Sequence, residues 1–173
     1  MSSFDAPSQP EQSRGSQHDA ISTSADAHEI DPKPDAHAVH ADPDTPATPE
    51  QKPLPQALKR KALGDKSPAE WAYERLVLYI KNFEEQLDSA QEVAMGFTGS
   101  NSGVMRIEGM GFFAPDILTF YGSEADGTRT QLVQHVSQLN VMLRALAKPE
   151  AQPEAQRIGF RLVADLEQSD PQG

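Results

Sequence analysis

The feature that most constrains this chain is the uneven distribution of side chains able to build a core. Residues 1–66 hold nine of the fourteen prolines and one aromatic, Phe4. Their whole complement of Ile, Leu, Val and Phe is Phe4, Ile21, Ile30, Val39, Leu54, Leu58 and Leu63. So few apolar side chains cannot offset roughly 1–2 kcal/mol of backbone entropy per ordered residue. Residues 1–64 are therefore expected to form a disordered Pro/Asp/Ser-rich arm, which its prolines bias toward polyproline II. The other ten aromatics lie beyond residue 66. Residues 65–166 are expected to form one compact domain with a modest core, and 167–173 a frayed polar tail.

Several function classes fall away on charge and residue type. The formal net charge is −11. A nucleic-acid binder needs a basic face to displace counterions from phosphates, so no nucleic-acid partner is expected. With no cysteine, thiol catalysis, disulfides and cysteine-held metals are excluded. No apolar run reaches the length of a membrane span, and the first residues lack the basic and apolar regions of an export signal. No membrane partner and a cytoplasmic location are expected.

Within the second part the hydrophobic period sorts the elements. Ser67-Pro68-Ala69-Glu70 reads as a capping box with proline in the first helical position. Tyr73, Leu76, Ile80, Phe83 and Leu87 follow at helical spacing, which predicts an amphipathic helix to about Ala90. Glu74, Lys81, Glu84, Glu85 and Asp88 would form its polar face. The period then changes to alternation. Strands are expected over 93–97, 104–108 resuming at 112–113, 117–121 ended by Gly122, and 128–134. Turns are expected at 99–103, 114–116 and 126–127, and a bulge or close backbone approach at Gly109-Met110-Gly111. Leu132, Val136, Leu139, Leu143 and Leu146 return to helical spacing, so a second helix is expected from about Ser137 to Ala147. Alternation over 157–163, with Ile158, Phe160 and Leu162 inward, predicts a final strand.

The expected class is α+β: an N-terminal helix, an antiparallel four-stranded meander, a second helix and a last strand. The helices would cover one sheet face. Arg106, Glu108, Thr119, Tyr121, Arg157 and Arg161 would lie on the other, where a second copy could dock.

Few residues form a chemical constellation. His37 and His40, among His28, Asp35, Asp42 and Asp44, read as a solvated tract without the rigid second shell of a metal site, so no metal is assigned. The PxxP spacing of Pro43, Pro46 and Pro49 follows from composition alone. Lys59-Arg60-Lys61 is too short a basic run to indicate nucleic acid. Gly109-Met110-Gly111 lacks a third glycine and a following helix, so no dinucleotide is assigned. No cofactor is expected. Phe112, Phe113 and Asp116 form either a rigid binding corner or a core hairpin. His135, beside Gln138, acts either as a general base with Asp116 or Glu108 or as a capping group. Ser137 lacks the glycine elbow of a serine nucleophile.

The segments 67–80 (SPAEWAYERLVLYI), 111–122 (GFFAPDILTFYG) and 130–146 (TQLVQHVSQLNVMLRAL) resemble a small bacterial family built on a domain of unknown function, over about residues 67–165. That resemblance implies no activity and no catalytic residue. The architecture is also similar to that of small acidic secretion chaperones, without a shared motif. The expected function is a non-enzymatic protein-interaction or regulatory module with an unknown protein partner, a second copy of the chain (a homodimer) being one candidate. The alternatives are a small-molecule binder or enzyme with a pocket near Phe113, Asp116, Tyr121 and His135, and a chaperone-like binder of an exported client.

Overall fold

A computed structural model describes residues 35–97 and 103–169. Its main helix, α2 (Pro68–Glu84), starts where the sequence says it should: the Ser67 hydroxyl accepts the Glu70 amide at 3.2 Å. The reciprocal half of the box is not made, because the Glu70 carboxylate accepts from Lys61 instead. The helix ends at Glu84, short of Ala90, and turns at 85–88 lead into the sheet.

Five strands form one antiparallel sheet: β1 (Gln91–Phe97), β2 (Val104–Phe113), β3 (Ile117–Ser123), β4 (Arg129–His135) and β5 (Val141–Ala147), in the order β4-β3-β2-β1-β5. The first four make the expected meander. The register of β2 on β3 slips between Ile107 and Gly109, a bulge where the glycines interrupt the pattern. The turn at 99–103 lies outside the described residues apart from Gly103, whose φ is +80°. Gly127 has φ +86°, and Asp126 accepts the Thr128 amide, which makes the expected Asp-Gly turn. Gly122 does not end β3. It lies inside the strand opposite Ile107, where a Cβ would come within 1.9 Å of the Arg106 carbonyl oxygen.

Two expected elements are exchanged. The predicted helix over 137–147 is strand β5, preceded by a single 3₁₀ turn over Val136–Gln138. Its Val141 and Leu143 pair with Phe97 and Met95 and join the core by alternation. The predicted strand over 157–163 is helix α3 (Ile158–Gln168), with Ile158 and Leu162 inward one turn apart and Phe160 outside. Glu167 and Gln168, expected in the frayed tail, close that helix. Arg157 and Arg161 therefore do not lie on the sheet. The Arg157 guanidinium donates to the Asp88 and Gln91 carbonyls.

Strands β4 and β5 lie at opposite edges, yet residues 136–140 alone join them. A flat sheet would separate its edges by about 19 Å across the strands, with the length of a strand in addition. The six Cα steps from His135 to Val141 span at most about 22 Å, less than the diagonal of those two distances. The sheet is therefore strongly coiled, and the joining turn crosses its hollow, where Val136 and Leu139 pack on the core. The core lies in that hollow. Tyr73, Val77 and Ile80 from α2, with Ile158 and Leu162 from α3, meet Val93, Met95, Met105, Ile107, Leu118 and Phe120.

The far side of α2 is not a free polar face. The structure describes residues 35–64 of the stretch expected to form the arm, and those from Pro49 onward form a strap that meets α2. A one-turn helix, α1 (Gln56–Lys59), buries Leu58. Lys52 donates to Asn82 and Glu85, Tyr79 donates to Glu50, and Trp71 donates to the Leu63 carbonyl. The contacts of the strap are to surface that α2 supplies. Residues 1–34 and 170–173 lie outside the described residues.

Candidate functional site

Strand alternation and register assign each side chain to a sheet face. Val93, Met95, Met105, Ile107, Leu118 and Phe120 face inward. Ala94 pairs with Arg106, Thr119 with Gly111 and Val133, and Tyr121 with Gly109 and Gln131, all on the outer face. Arg106, Glu108, Thr119 and Tyr121 are thus outside, as expected. Helices α2 and α3 both lie on the inner side. The outer face is left with Phe113 at 76%, Val133 at 59%, Met142 at 57% and Tyr121 at 44% exposure.

The two glycines of β2 explain part of this face. A Cβ at Gly109 would lie 3.5 Å from the Tyr121 ring, and one at Gly111 would meet Thr119 Oγ1 at 2.7 Å. The Tyr121 ring therefore covers a strip of bare backbone, an aromatic substitute for absent side chains. The inner part of the same face is polar and tied down. Glu92 is buried and accepts from Arg106, Gln152 and the Gln156 amide. Exposed charges farther out are Glu108, Arg129 and Arg144, one acid and two bases.

The corner at the Phe113 end holds the expected pair. His135 Nε2 lies 3.2 Å from Asp116 Oδ2, and its Nδ1 accepts the Ser137 amide at 3.1 Å and lies 2.7 Å from Ser137 Oγ. Accepting an amide proton requires a bare Nδ1, so in neutral His135 the proton sits on Nε2, facing Asp116. The Gln138 side chain closes the turn by accepting the His135 amide. Main-chain bonds fix the corner to both neighbours: Asp116 O accepts from Val136, and Pro115 O accepts from Ala69 at the start of α2. His135 thus caps the 3₁₀ turn, and Glu108 hydrogen-bonds Ser123.

Phe112 departs from the other predicted residues. Its ring lies 5.2 Å from that of Tyr73, on the inner side, at a cleft of about 810 Å³. The walls of the cleft come from 57–65, the first turns of α2, the end of β2 and the end of α3. Beside it, the Lys66 ammonium is buried between Glu74 at 2.7 Å and the Leu58 carbonyl. Burial pushes the Glu74 carboxyl up, against the pull of Lys66. Burial, and next the Asp165 carboxylate, push the Tyr73 hydroxyl up.

Sequence reading missed Tyr73 as a cleft residue, because the walls come from four separated segments. It also missed Glu84, placed on the polar face. Glu84 is buried and accepts the Phe160 amide, capping α3, whose own N-cap Arg157 offers no side-chain bond. Burial pushes its carboxyl up. Gly159 permits this approach, since a Cβ there would meet Glu84 and the Lys81 backbone at 2.7 Å. A glycine inside an apolar run was the one available signal.

No described helix is long and apolar enough to cross a membrane. Comparison with protein-family models, with curated proteins and with solved structures gives no match to the chain.

Proposed function

We propose that this chain is a non-enzymatic protein-interaction module that self-associates through the outer face of its sheet. The observation that carries the reading is the bare apolar group Phe113, Val133 and Tyr121 on a rigid, helix-free face. Isolated exposed apolar residues are ordinary, but a contiguous set on one sheet face marks a docking surface. The outer charges favour a second copy as the partner. A two-fold interface sets a face against itself, and Glu108 with Arg129 and Arg144 gives both signs, whereas the chain as a whole carries −11. Asp116 and His135 would form the polar rim.

Light scattering on the full chain tests the reading. A dimer mass is expected for the wild type, and a monomer mass with unchanged circular dichroism for the Phe113→Ser, Val133→Ser double variant. A wild type that stays monomeric at the highest soluble concentration overturns self-association.

A further inference from the structure

The cleft between α1, α2 and the end of α3 carries a separate inference, independent of the outer face. Tyr73 is only 6% exposed, and no described residue hydrogen-bonds its hydroxyl, although Tyr79 on the same helix donates to Glu50. The ring is buried while the hydroxyl opens onto the cleft with no protein partner, so whatever occupies the cleft must satisfy it. The side chain lines the cleft, so a ligand there can reach the group.

The charges around the cleft indicate which ligand. The two lysines are ion-paired, and Arg60 bonds only to main-chain carbonyls. Arg60 donates to the Glu167 and Ser169 carbonyls at the end of α3, Lys61 pairs with Glu70 at 2.9 Å, and Lys66 pairs with Glu74. The carboxylates of Asp65 and Asp165 have no ion-pair partner among the described residues. The tilted Tyr73 and Phe112 rings supply an aromatic wall, which suits both an apolar group and a cation. The volume of about 810 Å³ falls in the range of small-molecule sites.

We propose that this cleft binds a small organic ammonium ion with an apolar arm, the ammonium donating to the Tyr73 hydroxyl oxygen and the Asp165 carboxylate, the arm lying against Tyr73 and Phe112. An anionic ligand would meet two carboxylates without ion-pair partners, Asp65 and Asp165, against one such cation, Arg60.

The test uses the full chain and 2-phenylethylamine, with 3-phenylpropionate and 2-phenylethanol as controls of the same shape and different charge. Binding is followed by calorimetry and by emission of Trp71, the only tryptophan, which is hydrogen-bonded to the strap at Leu63 beside the cleft. Saturable binding of the amine, none of the acid, and about tenfold weaker binding in Tyr73→Phe and Asp165→Asn are expected. Asp165 is exposed, so its variant keeps the fold and decides the matter if Tyr73→Phe does not fold. No saturable binding of the amine, equal binding of the three probes, or full affinity in Asp165→Asn overturns the proposal.

Discussion

The two faces of the sheet are built from the same strands and meet different fates. Phe120 and Tyr121 are neighbours on β3, yet Phe120 is inaccessible and Tyr121 is 44% exposed. The inner face is the first of several layers, with α2 and α3 against it and the 49–66 strap on the far side of α2. The outer face has no helix against it, and only the segment at Gln152 and Gln156 covers its β1 part. A substitution on the inner side is therefore a question of stability, and one on the outer side a question of recognition.

Phe120→Ala puts the largest strain on this contrast. It should lower the unfolding free energy by about 3–5 kcal/mol in urea titration, because a fully buried ring leaves a cavity. Val133→Ala should stay within about 0.5 kcal/mol at a dilution where the chain is monomeric, since Val133 is exposed there. Equal costs at every dilution would mean that the outer face is covered in solution, which would count for a constitutive dimer. Lys66→Met tests the outermost layer of the covered side. It leaves Glu74 buried without its cation and should cost about 3 kcal/mol, with new proteolytic cleavage between Leu58 and Lys66. Gly159→Ala pushes α3 away from α2 and should cost about 1–3 kcal/mol by thermal unfolding.

A smaller effect depends on pH. The folded Glu84 carboxyl titrates above its ordinary value because of burial. Its contribution to stability is thus fully present below the unfolded value of about 4.5 and is lost as pH rises through the folded one. Wild type minus Glu84→Gln should therefore decline in unfolding free energy between acid and neutral pH. A constant difference would show that Glu84 is not desolvated at the α2–α3 contact.

What could be read in advance follows the range of the forces involved. Helix α2 and the hairpins were legible because a cap, a proline, a stripe or an Asp-Gly pair acts within a few residues. β5 and α3 were not. Leu132, Val136, Leu139, Leu143 and Leu146 keep helical spacing across two strands and a turn, and the pairing with β1 overrides that coincidence. In α3 the alternation of Ile158, Phe160 and Leu162 hides an inward set one turn apart, because Phe160 lies outside near Lys81. Of the candidate residues, Asp116, His135 and Gln138 were brought together as neighbours, Phe113 and Tyr121 went to the outer face, and Phe112 went to the cleft. Its partner Tyr73 read only as core, since a stripe tells which side of a helix is apolar and not where its neighbours leave a gap.

The bond from Arg60 to the Glu167 carbonyl joins positions 107 residues apart. A ribosome delivers the strap long before the helix end on which it rests. The early segment can therefore settle on α2 through Glu50, Lys52 and Leu63 before its contact with the end of α3 exists. A chain trimmed before Glu167 would keep those bonds and lose only the Arg60 link, so that link alone ties the first part of the protein to the completion of the last.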